Sequence, residues 1–305
     1  MKTLEHLVTE QRNARTRDLS ELSIKEIVEI MNEEDQTVAL AVKRELPAIE
    51  RAIAAIVASM EKEGRLVYVG AGTSGRIGVM DASECPPTFG VDFNTVIGLI
   101  AGGEGAFVKA VEGAEDDEEL AVSDLKRIGL SARDVVVGLT ASGRTPYVKG
   151  ALQYAREAGA TAISVSCNAE SVVSRYADHA IEVEVGPEIL TGSTRLKAAT
   201  AQKMILNMMS TTAMIRLGKV YQNLMMDLHA SNQKLKERSL RIVMEATGAD
   251  YEAASRAMKE ADNHVKTAIV MLETGRDRET AEAALDEAGG FVKRAIEAVR
   301  AASGE

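Results

Sequence analysis

The sequence predicts an α/β protein: a doubly wound parallel five-stranded sheet with N-terminal helices and a small C-terminal all-helical domain. Three observations carry this. From Arg65 onward, short β-branched runs alternate with helical stretches, the rhythm of βαβ units. Several of those runs are apolar on consecutive residues, as in parallel strands buried on both faces. The end of the chain repeats itself with a period of 27 residues, Thr247-Gly248 returning as Thr274-Gly275.

In chain order, Ser23-Ile24-Lys25-Glu26 is a capping box that opens a short helix to about Asn32. A longer helix is expected from about Asp35 to Lys62, kinked or divided at Pro47. Its apolar residues Val42, Leu46, Ile49, Ile53, Ile56 and Met60 step by four and three, a seam along one face. That seam packs on its own domain or forms a subunit interface. The strand runs are Leu66–Val69, Thr95–Ala101, Asp134–Thr140, Thr161–Ser166 and Ala180–Val185. Tyr147–Ala158 suits a crossover helix. A helix then runs to about Leu217, with Ile205, Met208, Met209, Thr212 and Ile215 on one face and its methionines as core filler. The repeat matches Asp250, Glu252, Ala254, Ala257 and Ile269 to Asp277, Glu279, Ala281, Ala284 and Ile296, so two small helical units are expected. The expected boundaries are a helical segment 1–62, a sheet domain 63–222, a connecting helix 223–245 and the repeat domain 246–305.

Composition excludes several functions. The net charge of −10 argues against nucleic acid or an anionic membrane as partner. Cys85 and Cys167 are too few for a disulfide framework or a zinc site, and four scattered histidines form no metal-ligand cluster. No metal is expected. No run of 18 apolar residues exists, and the charged N-terminus lacks the apolar centre of a signal peptide, so a cytoplasmic protein is expected.

Residues 70–90, GAGTSGRIGVMDASECPPTFG, follow the first strand. Glycines at 70, 72 and 75 have the spacing of a dinucleotide loop. The ribose-binding acid such a loop requires about 20 residues later is missing, because Thr95 stands there. No nucleotide cofactor is therefore expected. Two further loops share the theme of small hydroxyl residues, one glycine and a cation: Thr140–Thr145 and Thr191–Lys197. Together the three suit a phosphomonoester, which needs a compact nest of hydroxyl and backbone donors. The candidate binding residues are Gly72, Thr73, Ser74, Arg76, Ser142, Gly143, Arg144, Thr145, Ser193, Thr194 and Lys197. Two carboxylates stand out: Glu84, followed at once by Cys85-Pro86-Pro87, and Glu115, in an acidic run that equally suits a solvated helix start.

The loop pattern resembles the SIS (sugar isomerase) fold. Residues 70–90, VEGAEDD, TASGRTPYV and TGSTRLKAATAQK resemble the N-acetylmuramic acid 6-phosphate etherases, and the resemblance runs over essentially the whole chain. It implies a dimeric, cofactor-free carbon–oxygen lyase acting on a phosphosugar, in recycling of cell-wall sugar. It implies that Glu84 and Glu115 are the catalytic pair. The related glucokinase-regulatory proteins make a non-catalytic phosphosugar sensor the alternative, and a phosphosugar isomerase is another. His229 lies in a polar stretch, Asp227–Asn232, and is a weaker candidate.

Overall fold

The computed structural model describes residues 6–227 and 233–303, excepting the side chains of 233–236. The chain forms two compact units: Met1–Ser83 with Asn94–Ser210, and Glu84–Phe93 with Thr211–Glu305.

In the first unit, residues 6–22 form an extended strap with short 3-10 turns at Val8–Glu10, Ala14–Thr16 and Leu19–Glu21. Helix α1 (Ile24–Arg44) opens on the expected capping box, with Ser23 and Glu26 satisfying each other's backbone N–H groups. The expected break near Asn32 is absent and α1 runs on to Arg44. The chain divides at Glu45, in keeping with the division expected at Pro47, which sits in the first turn of α2 (Leu46–Met60). Proline is harmless there, where its missing N–H would be unpaired anyway. Ile49, Ile56 and Met60 of the seam are buried within this unit, whereas Leu46 is exposed.

All five expected strands form: β1 (Leu66–Gly70), β2 (Val96–Ile100), β3 (Val135–Thr140), β4 (Thr161–Ser166) and β5 (His179–Glu182). They are parallel throughout, in the order β2-β1-β3-β4-β5. Helices α3 (Gly72–Phe89), α4 (Gly105–Val108), α5 (Glu118–Arg127) and α6 (Pro146–Glu157) connect them. β1 and β3 are buried at every residue, which explains their unbroken apolar runs. Val67, Val69, Val136, Leu125, Tyr147 and Leu152 belong to one core cluster on this sheet. At the amino ends of β1 and β3, the Arg65 guanidinium grips Asp134 through Nε–Oδ1 at 3.1 Å and Nη2–Oδ2 at 2.8 Å. Two-point pairing of this kind fixes register as well as charge.

Helix α7 (Lys197–Arg216) follows β5. Its buried stripe includes Ala198, Ala201, Ile205, Leu206 and Met209, while Ile215 is exposed. The second unit contains the short pair β6 (Val220–Tyr221) and β7 (Leu224–Met225), then α8 (Gln233–Thr247), α9 (Tyr251–Glu260), α10 (Val265–Thr274), α11 (Arg278–Glu287) and α12 (Val292–Ser303). The repeat is structural. Asp250 and Asp277 cap α9 and α11 by accepting from Ala253 N at 2.8 Å and Thr280 N at 2.9 Å. Ala254, Ala268 and Ile269, with their copies Ala281, Ala295 and Ile296, share one core cluster.

Candidate active site

Strand order marks a candidate position for a ligand. β1 is flanked by β2 on one side and β3 on the other, so the chain leaves β1 and β3 in opposite directions. In open α/β sheets ligands bind outside the carboxyl ends of the strands at such a switch point. Gly70 is paired with Leu139 at that edge, so the first and second candidate loops begin side by side.

The first loop is tighter than expected. Helix α3 already starts at Gly72, so Thr73, Ser74 and Arg76 form its first turns rather than a free loop. A Cβ on Gly75 would lie 2.6 Å from Gly70 O, so this glycine serves the close approach of α3 to β1. The dinucleotide-like spacing thus has a packing reason that needs no dinucleotide. The Arg76 guanidinium donates to Phe107 O at 2.7 Å and Ala106 O at 2.9 Å, binding the segment that carries α4.

In the second loop, the Thr140 hydroxyl is the hub. It lies 2.7 Å from Thr145 Oγ1 and 3.3 Å from Ser142 Oγ, and it accepts from Gly143 N at 3.2 Å. Thr145 precedes α6 without capping it through its side chain, leaving first-turn N–H groups for an anion. Ser142, Gly143 and Arg144 line one cavity of about 570 Å³, together with Asn168, Ser171 and Arg175. Ser171 is held by the Glu182 carboxylate, which accepts from Ser171 N at 2.9 Å, Glu170 N at 2.8 Å and Ser174 Oγ at 2.6 Å.

The third loop places Ser193 and Thr194 half-exposed ahead of α7. Lys197 has a different surrounding from the one its motif suggests. It is buried, and its Nζ donates to Glu34 Oε2 of α1 at 2.6 Å. Burial pushes the Glu34 carboxyl up, but Lys197, Asn13 and Arg15 outweigh it and hold the group below its usual range. The fully buried Glu188 carboxylate accepts from Lys197 N and Ala198 N, each at 2.9 Å. The N-terminus of α7 is thereby occupied by a protein carboxylate, and burial raises the pKa of that group. What this loop offers a ligand is its hydroxyls.

Glu84 lies in the last turns of α3, exposed, in a helix that continues through Pro86 and Pro87. Gly90, with φ of +62°, ends it by donating to Pro86 O at 2.9 Å. Glu115 sits exposed in the 3-10 turn Ala114–Asp116, which Gly113 enters with φ of +76°. The helix-start role of the acidic run belongs to its other members. Asp117 caps α5 by accepting from Leu120 N at 3.0 Å, and Glu118 pairs with Lys149 at 2.8 Å. Neither Glu84 nor Glu115 forms an ion pair among the described residues. His229 lies outside the described residues.

Two family models match: the glucokinase regulatory protein N-terminal SIS domain over residues 48–156, and the SIS domain over 114–212. N-acetylmuramic acid 6-phosphate etherase of Geobacillus sp. (strain WCH70) is 61% identical over 266 residues, 87% of this chain and 90% of the relative. The chain belongs to the N-acetylmuramic acid 6-phosphate etherase family. The protein of the same name from Bacillus mycoides (strain KBAB4) is 60% identical over the same share of both chains.

The etherase family shares its fold with more distant structures. One is a Bacteroides fragilis protein described as a phosphosugar isomerase involved in capsule formation, with TM-score 0.51 and 21% identity over 67% of this chain and 98% of that one. Another is phosphoheptose isomerase from Neisseria gonorrhoeae, with TM-score 0.50 and 15% identity over 63% and 98%. In this etherase-family chain, the motifs identified the loops but missed Asn168, Ser171 and Glu188, and the strap that joins Ser142–Arg144 at the cavity. One signal was available. Thr9, Asn13 and Thr16, the buried residues of the strap, are spaced by four and three. Among the described residues no group of three or more His, Cys, Asp or Glu could hold a metal, and no helix is long and apolar enough to cross a membrane.

Proposed function

We propose that the chain cleaves the D-lactyl ether at C3 of N-acetylmuramic acid 6-phosphate, giving N-acetylglucosamine 6-phosphate and D-lactate. The observation that carries this is 61% identity to an etherase over 87% of the chain. With the sugar ring open, C1 is an aldehyde and the hydrogen on C2 is acidic. A base removes that proton, lactate leaves C3 with its bonding electrons, and water adds across the resulting C2–C3 double bond. We assign Glu84 to acid/base work at C2 and the leaving group, and Glu115 to partner base or water activation. Gly72, Thr73, Ser74, Ser142, Gly143, Arg144, Thr145, Ser193 and Thr194 are the proposed substrate ligands. Arg76 and Lys197 act in this scheme by holding α4 and α1 in place.

In this reading residues 63–222 carry the phosphosugar site and 246–305 are accessory. Homodimerisation is supported by the apolar residues that α1 exposes, Ile24, Val28 and Leu40. Cys85 and Cys167, both buried and not joined to each other in a disulfide, suit the cytoplasm. The match to the glucokinase regulatory model favours a second reading, a phosphosugar sensor without turnover.

Lactate release from N-acetylmuramic acid 6-phosphate by wild type, Glu84→Ala and Glu115→Ala tests the proposal. The expected result is release by wild type, with a fall of about 10²–10⁴-fold in each variant and retained phosphosugar binding. Wild type that binds the phosphosugar but releases no lactate overturns it in favour of the sensor.

A further inference from the structure

The strap buries polar groups, and each serves a different segment. Thr9 N donates to Asn168 Oδ1 at 3.4 Å and Asn168 Nδ2 donates to Thr9 Oγ1 at 3.0 Å. Asn13 Nδ2 donates to Pro187 O at 3.4 Å, and Thr16 Oγ1 donates to Ile189 O at 2.8 Å. Thr9 is 1% and Asn168 2% exposed. The same Asn168 amide donates to Ala141 O at 3.0 Å, directly before Ser142. One buried side chain therefore joins the strap to the loop after β3. Just beyond Thr9, His6, Leu7 and Val8 line the same cavity as Ser142, Gly143 and Arg144.

Aliphatic side chains would bury such a segment with more net stability, because a buried hydrogen bond returns only about 1 kcal/mol. Hydrogen bonds, being directional, fix position instead. We propose that the strap is part of the phosphosugar site, with His6–Val8 closing one side of it and Thr9 acting through Asn168 as a positioning residue for the Ser142–Thr145 loop. The ligand is a sugar phosphomonoester, and the inference rests on the functional reading above.

The test measures N-acetylglucosamine 6-phosphate binding and lactate release by the full chain. The variants are Thr9→Val, Thr9→Ser, Asn168→Ala and the double Thr9→Val/Asn168→Ala. Thr9→Val is expected to raise Kd and KM about tenfold with kcat within about twofold, and Thr9→Ser to restore both. The double variant is expected to bind no worse than the weaker single one, since the two residues act through one contact. A second variant, Leu7→Asp, leaves the strap's hydrogen bonds in place and puts a carboxylate in the cavity with Arg144. It is expected to weaken binding at least about fivefold. Wild-type Kd and KM in folded Thr9→Val or in Leu7→Asp, or losses in Thr9→Val and Asn168→Ala that multiply in the double variant, overturn the strap's role alone. Wild type that binds no sugar phosphate overturns the phosphosugar reading and the inference with it.

Discussion

A Cβ on Gly143 would lie 2.0 Å from Ser171 Oγ, on a backbone with φ of +74°. Both the strain and the clash fall on the loop that carries Ser142 and Arg144. Gly143→Ala is expected to lower stability by at least about 2 kcal/mol and to weaken phosphosugar binding, measured by thermal unfolding and calorimetric titration. Lys197 calls for a different experiment. Its motif suggests a ligand contact, but its ammonium is buried against Glu34. Among the described residues, Lys197→Met leaves that carboxylate with Arg15 alone at 3.1 Å as its ion-pair partner and is expected to cost about 1.5–3 kcal/mol. The pair Lys197→Met/Glu34→Leu removes both charges and is expected to recover much of this loss. Loss of ligand binding by the pair at restored melting temperature would mark Lys197 as a direct contact. Sequence patterns reveal that a cation is present. They do not reveal which anion it meets, because Glu34 is 163 residues away in the chain.

At the scale of elements, the repeat makes a matched prediction. Asp250 and Asp277 do the same work at the starts of α9 and α11. Asp250→Ala and Asp277→Ala are each expected to lower stability by about 1 kcal/mol, by similar amounts, in denaturant unfolding. The repeat also shows where equal sequence parts company in structure. Lys266 is buried and donates to Asp227 at 2.8 Å, while its copy Lys293 is exposed and lies 3.9 Å from Glu297. Periodicity reports the shared helix face, and the environment of each copy is decided by what lies against it. Helix ends behaved the same way. The capping box at Ser23 is a local device and formed as expected. The expected break near Asn32 did not form, because residues 32–35 hold no proline or glycine, whereas the chain does divide two residues before Pro47, which could not continue α1.

Across the whole molecule, acid stability depends on paired carboxylates. Burial pushes Asp134 up, but Arg65 and the N–H groups of Ser131 and Arg65 outweigh it and hold the carboxyl below its usual range. A lowered folded pKa gives stability that is fully present above the unfolded value of about 3.9 and is lost as pH falls through the folded value. Glu34 acts in the same sense. Asp81 and Glu188 are raised, chiefly by burial, and act in the opposite sense. The difference between wild type and Asp134→Asn isolates one group. Their gap in melting temperature is expected to be widest near neutrality and to close progressively below about pH 4. A gap independent of pH would show that Asp134 contributes no charge-dependent stability.

The sequence by itself determined the five strands, the parallel class, the helical repeat and the loops that carry Ser142, Gly143 and Arg144. These depend on local periodicity, turn chemistry and motif, all written in neighbouring residues. Only the tertiary structure decided that Lys197 meets Glu34, that Glu188 occupies the start of α7, and that Thr9 and Asn168 join the strap to the loop after β3. Each of these is a hydrogen bond or ion pair between groups brought together by folding. A buried polar partner is chosen by geometry, and a one-dimensional pattern carries no distance between residues 9 and 168.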